Sequence, residues 1–206
     1  MASSSPELPM SAPPVAARER ADARRNRERI LCAAARLIEE RGIEHVSMDD
    51  VACAAGVGKG TLYRRFGDRS ALLRALIEEP ERAFQESLIR GEAPLGPGAP
   101  PLQRLHAFGD ALLDHYERHA TFIRAADSLS GGRRYLHPVY RAYRAHVGVL
   151  LRELLGDGVR TEYLADALMA PLGAEPFLHQ RTVLEMSLDE IRDGWHALVD
   201  AVCAAG

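Results

Sequence analysis

Residues 47–69, Ser-Met-Asp-Asp-Val-Ala-Cys-Ala-Ala-Gly-Val-Gly-Lys-Gly-Thr-Leu-Tyr-Arg-Arg-Phe-Gly-Asp-Arg, decide the fold of this chain. Ser47 is an N-cap residue followed by the first-turn carboxylates Asp49 and Asp50, which suit the positive end of a helix dipole. That helix is short, because Gly56 stops it, and Val57-Gly58 opens a second one running to about Phe66. Two short helices joined by a glycine-led turn form a helix-turn-helix, in which the turn swings the second helix outward. Val51, Ala54, Val57, Leu62 and Phe66 supply inward faces. Lys59, Gly60, Thr61, Tyr63, Arg64 and Arg65 remain for the outward face, with no acid among them. Phosphates repel carboxylates, so an acid-free, donor-rich helix face is what a duplex-reading helix requires.

Working outward, helical spacing continues on both sides. Ile30, Ala34, Leu37 and Ile38 mark a helix starting near Arg20 and ending at Gly42. Asp68 caps a further helix whose stripe, Leu72, Leu73, Leu76 and Ile77, resumes at Phe84 and Leu88 beyond Pro80, which predicts a continuous but kinked helix. Residues 91–101 are rich in proline and glycine and form the clearest internal boundary. Beyond them the spacing predicts one helix around Leu105–Tyr116 and a shorter one around Phe122–Leu129, divided by Gly131-Gly132 from a long helix over Val139–Leu154. Another helix begins near Tyr163, and Pro171, Gly173 and Pro176 interrupt it. A capping box, Ser187 with Glu190, opens the last helix, striped by Leu188, Ile191, Trp195, Leu198 and Val202. No strand signal occurs. The expected fold is all-α with about nine helices. Residues 1–19 are read as a disordered tail, 20–68 as the three-helix DNA-binding part, and 69–206 as a second helical domain.

Composition narrows the function classes. The 206 residues carry a formal net charge of −3, with 47% hydrophobic and 27% charged residues, which is ordinary for a globular protein. The charge is uneven, since arginines 18, 20, 24, 25, 27 and 29 crowd one stretch and Lys59, Arg64, Arg65 and Arg69 another. Either cluster alone is also consistent with a solvated helix face. Cys32, Cys53 and Cys203 have neither disulfide-framework nor zinc spacing. No cofactor is expected, and no metal. His115 and His119, four apart on one helical face, are the pair with ligand-like geometry, and an ordinary polar face explains them. No apolar run approaches a membrane span and no signal peptide is evident, so a cytoplasmic protein without a membrane partner is expected. Nucleophile elbows, P-loops and dinucleotide-binding glycine fingerprints are missing, so the chain reads as a non-enzyme.

The stretch 47–66, above all Gly-Val-Gly-Lys-Gly-Thr-Leu-Tyr-Arg-Arg-Phe, resembles the DNA-binding motif of the TetR/AcrR family, and the resemblance extends over about 22–78. It implies a regulator of transcription, most simply a repressor that binds a palindromic operator in double-stranded DNA as a homodimer and is released by a small apolar or aromatic inducer. The alternative is a DNA-binding architectural protein or activator without ligand sensing. Position by position, the resemblance implies that Ser47 caps its helix and meets a phosphate. Lys59, Gly60 and Thr61 meet the groove, while Tyr63, Arg65 and Arg69 meet phosphates. Arg64 reaches a base or a phosphate, Met48 offers an apolar contact, and Arg24 and Arg25 reach a neighbouring phosphate or the minor groove. Gly58 departs from the pattern, standing where the family usually has a serine. In the second domain the resemblance implies a cavity, for which Phe108, Leu112, Tyr116, Phe122, Tyr140, Tyr143 and Met169 are the candidates. It also implies a dimer interface on the last helix, through Leu188, Ile191, Trp195, Leu198 and Val202, with packing inside the subunit as the competing explanation.

Overall fold

Helical spacing and well-placed stop residues account for nearly all of the structure, a computed structural model that describes residues 15–129, 134–157 and 159–204. Nine α-helices and two short 3-10 turns occur among the described residues, and no strand. In order the helices are α1 (Val15–Arg41), α2 (Met48–Ala54), α3 (Lys59–Phe66), α4 (Arg69–Arg90), α5 (Pro101–Leu129), α6 (Pro138–Leu155), α7 (Val159–Met169), α8 (Ala174–Thr182) and α9 (Leu188–Ala204). The chain divides into two compact units, one ending at Arg65 and the other beginning at Phe66.

Two expectations are corrected. Residues 15–19, assigned to a tail, are helical, and residues 1–14 of that tail lie outside the described residues, as does the Gly131-Gly132 break. The two helices expected between Leu105 and Leu129 are one, because nothing between His119 and Phe122 breaks a helix and Ala120 is buried within it. Helix α3 starts at Lys59, with the Gly58 carbonyl accepting from the amides of Thr61 and Leu62 at 2.9 and 3.2 Å.

The first unit is built on the apolar face of α1. Ile30, Ala34, Leu37 and Ile38 are buried together with Ile43, Val46, Val51, Ala52 and Leu62. In the second unit α5 is the central helix and packs against α4, α6, α8 and α9. Leu105, Phe108, Leu112 and Leu113 of α5 are fully buried, as are Leu150 and Leu151 of α6 and Leu168 of α7. Each contributes roughly 1.5–3 kcal/mol by leaving water. Outside this core the Arg144 guanidinium clamps α7, donating to both carboxylate oxygens of Asp166 at 2.5 and 3.0 Å and to Glu162 at 3.0 Å.

Candidate nucleic-acid interface and cavity

The start of α2 is held by a reciprocal cap. The Ser47 Oγ accepts from the Asp50 amide at 3.2 Å while the Asp50 carboxylate accepts from the Ser47 amide at 2.9 Å. These bonds hold the Asp50 carboxyl below the usual carboxylate range, its hydrogen bond with the Ser47 side chain first among them. The end of α2 is a Schellman closure: the Gly56 amide donates to Cys53 and the Val57 amide to Ala52, at 3.1 and 3.0 Å. Gly56 sits at φ +62°, where a side chain would be strained. The carbonyl of Ala55, just past α2, also accepts from the Arg29 guanidinium at 2.7 Å, which fixes the turn to α1.

This turn presents α3 with Leu62 inward and Lys59, Gly60, Tyr63, Arg64 and Arg65 outward and exposed, while Thr61 is half-buried. Tyr63 is 47% exposed. A Cβ placed on Gly58 or Gly60 would meet nothing within 4 Å, so the backbone at the start of α3 is open to close approach. Ser47, Arg24 and Arg25 are also exposed. Met48 is a correction: its side chain is only 6% exposed and belongs to the core, so it offers no outward apolar contact. Arg69 opens α4 in the second unit, where the Asp68 carboxylate caps the helix by accepting from the Ala71 amide at 2.7 Å.

Several of these cations already have partners. Lys59 Nζ lies 2.5 Å from Asp49 Oδ2, and that carboxylate raises the lysine's affinity for its proton. Arg65 donates to the carbonyl of Ala23, Arg24 pairs with Glu28 at 3.6 Å, and Arg25 pairs with Asp22. Asp49 is the neighbour of the candidate face that reading α3 alone misses. Its exposure follows from helix phase, since its neighbours Met48, Val51 and Ala52 take the buried face of α2.

The second unit holds a small cavity of about 50 Å³ among α4, α5, α6 and the start of α8. Tyr116, Tyr140 and Tyr143 line it, as expected residues. Phe108, Leu112 and Met169 do not: they are spent in the core, and Phe122 is only half-buried and off the wall. The wall is more polar than an aromatic count suggests, because Arg74, Glu81, His115 and Asp127 also face the space. Burial, with Asp127 and Glu78 nearby, pushes the Glu81 carboxyl up to about 7. Burial pushes the His115 imidazole down to about 4, and its Nε2 has no hydrogen-bond partner. Burial also raises the Tyr143 phenol. His115 and His119 stand 4.9 Å apart by ring centroid, and among the described residues no three His, Cys, Asp or Glu side chains form a group able to hold a metal.

On helix α9 part of the apolar stripe packs inside the subunit. Ile191 and Trp195 are buried inside the subunit, at 6% and 4% exposure, and the Trp195 indole N–H donates to the Leu105 carbonyl at 3.2 Å. Leu188 and Val202 pack against the same core, leaving Leu198 as the exposed member of the stripe. Trp195 thus bonds to Leu105 and lies against Gly109, both in α5 of the same chain.

Known proteins share this construction. Residues 30–76 match the family described as bacterial regulatory proteins, tetR family. An HTH-type transcriptional regulator of Staphylococcus aureus strain USA300 is 46% identical over 59 residues, covering 29% of this chain and 32% of that protein. The chain thus aligns with about a third of the length of the curated relatives it matches. Among solved structures, a TetR-like transcriptional regulator from Rhodococcus sp. RHA1 superposes with a TM-score of 0.62 at 22% identity, covering 88% of this chain and 97% of that one. Thermus thermophilus FadR, a TetR-family repressor solved with lauroyl-CoA, gives 0.61 at 20% identity, with 84% and 92% covered. Among the described residues no helix is long and apolar enough to cross a membrane. Residues 30–76 thus carry the segment that defines bacterial regulatory proteins of the tetR family, and the chain as a whole shares the all-helical fold of the solved structures.

Proposed function

We propose that this protein is a DNA-binding transcriptional regulator and not an enzyme. In this reading it is a repressor that binds a palindromic operator as a homodimer and is released when a small molecule enters the cavity of the second unit. The observation that carries it is the exposed start of α3, where Lys59, Gly60, Tyr63, Arg64 and Arg65 surround an open stretch of backbone. A helix end with free amides and no bulky side chain can approach a phosphate or base edge closely. Lys59, Gly60 and Thr61 meet the groove. Tyr63, Arg65 and Ser47 hold the phosphates, Arg64 reaches a base or a phosphate, and Arg24 and Arg25 reach a neighbouring phosphate or the minor groove. Arg69 adds a phosphate contact.

A single reading helix of this length specifies few bases, so two related by a two-fold axis are needed for an operator. The cavity supports sensing, since a partly polar, partly aromatic space inside a helical bundle is a common ligand site. Gel shift with DNA upstream of the protein's own and neighbouring genes tests the proposal. A specific complex that weakens steeply with salt is expected. Folded protein that gives no specific complex at low salt would overturn it.

A further inference from the structure

We propose that the cavity of the second unit takes an organic cation, an ammonium group on an apolar or aromatic body, with Glu81 as its counter-ion and the tyrosines of α5 and α6 around it. This rests on reading the second unit as a ligand-sensing domain. Glu81 projects from the middle of α4 into the cavity wall and has no hydrogen bond or ion pair among the described residues. A partly buried carboxylate without a partner is unfavourable, and the charged groups acting on it are the acids Asp127 and Glu78, which make it worse. An incoming cation relieves both the desolvation and the repulsion, whereas a carboxylate or phosphate would add to them.

The rest of the wall agrees. Tyr116, Tyr140 and Tyr143 line the same space, and the faces of such rings attract cations. His115 is 3% exposed, its Nε2 is unpartnered, and it lines the cavity. Held neutral by burial, it offers a hydrogen bond without a competing positive charge. Arg74 also lines the wall but is not among the groups acting on Glu81.

Calorimetric titration of the intact protein with three matched probes tests the assignment: 4-phenylbutylammonium, 4-phenylbutanol and 4-phenylbutanoate, with lauroyl-CoA beside them. The ammonium is expected to bind at least about tenfold more tightly than the alcohol, a difference of one paired charge at partial burial. Glu81→Gln should bring the ammonium to the alcohol's level and leave the alcohol unchanged, which also reports an intact cavity. Should that variant not fold, the unaltered protein answers through pH. Its ammonium affinity should rise roughly tenfold from pH 6 to 8 as Glu81 ionises, with His115 staying neutral. Arg74, Glu78, Asp127, His137, Tyr116, Tyr140 and Tyr143 are the other charged or titratable groups around it. Tightest binding by the carboxylate or lauroyl-CoA, an ammonium affinity indifferent to Glu81→Gln and to pH, or no binding of the ammonium would overturn the assignment. Adding the bound probe to the DNA complex separates the two readings. An ammonium that binds through Glu81 without releasing DNA leaves the cavity assignment standing and counts against ligand-driven release.

Discussion

Lys59, at the first position of α3, and Asp49, in the first turn of α2, form an ion pair of 2.5 Å that joins the two helices of the motif on their exposed side. The pair is solvent-exposed, so it adds little to stability. Its consequence is for binding. DNA must either compete with Asp49 for the lysine or accept a carboxylate beside its phosphates. Asp49→Asn is therefore expected to tighten DNA binding about three- to tenfold at low salt and to steepen its salt dependence. Fluorescence anisotropy with a labelled duplex across a salt series checks this, and weaker binding by the variant would speak against a DNA-facing Lys59.

Gly60 separates folding from binding. It lies inside α3 and a Cβ there meets nothing within 4 Å, so Gly60→Ala should stabilise the helix by roughly 0.5–1 kcal/mol. The same methyl group occupies the surface that a groove edge must approach. A variant that melts higher yet loses at least about tenfold in DNA affinity, a loss of one close contact, is the expected pair of results. Unchanged affinity would move the contact away from the start of α3.

Gly109 should behave in the opposite way. A Cβ there would come within 1.9 Å of Trp195 Nε1, so α5 and α9 cannot keep their separation once it is added. Gly109→Ala is expected to lower stability by about 1–3 kcal/mol by overpacking, despite alanine's better helix propensity. Trp195→Ala should cost about 3–5 kcal/mol by leaving a void. Urea unfolding reads both. A Trp195→Ala variant as stable as the parent but monomeric would restore the dimer-anchor role that its burial argues against.

Acid should weaken the fold between about pH 6.5 and 4. His115 and His146 each have a buried Nε2 without a hydrogen-bond partner, and burial pushes both imidazoles down to about 4. Arg118 and His119 act on the first in the same sense, and Arg104 on the second. In that window the unfolded chain binds the protons that the folded one refuses, so stability falls as pH falls. Glu81 acts in the opposite sense, because its folded carboxyl, raised to about 7, takes up its proton before the unfolded one does. Two histidines outweigh one glutamate, and the net slope is a loss on acidification. Urea midpoints at pH 7, 6, 5 and 4 measure it. His115→Phe with His146→Phe should flatten the fall, and Glu81→Gln should steepen it.

The sequence was most legible where local chemistry alone sets the backbone. Ser187 forms the capping box that its spacing to Glu190 implies, and Ser47 is the N-cap that its position before α2 implies. Gly56 ends α2, and Asp68 caps α4. Legibility failed where tertiary packing chooses among equivalent apolar positions. Phe108 and Tyr143 look alike as aromatics at helical spacing, yet one is spent in the core and the other lines the cavity. Trp195 carried the same ambiguity between an internal and an external partner, and the carbonyl of Leu105 settled it. The polar part of the cavity wall was also hidden. Glu81 reads as an ordinary surface acid beyond Pro80, and only the packing of α4 against α5 turns it inward.

Sequence-specific recognition through α3 is the central claim, and selection from a randomised duplex pool tests it most directly. The intact protein, at moderate salt, should enrich an inverted repeat, and Lys59→Ala with Arg64→Ala should abolish that enrichment while the variant remains folded. Enrichment of no sequence by the folded protein, or the same repeat enriched equally by the double variant, would contradict the account.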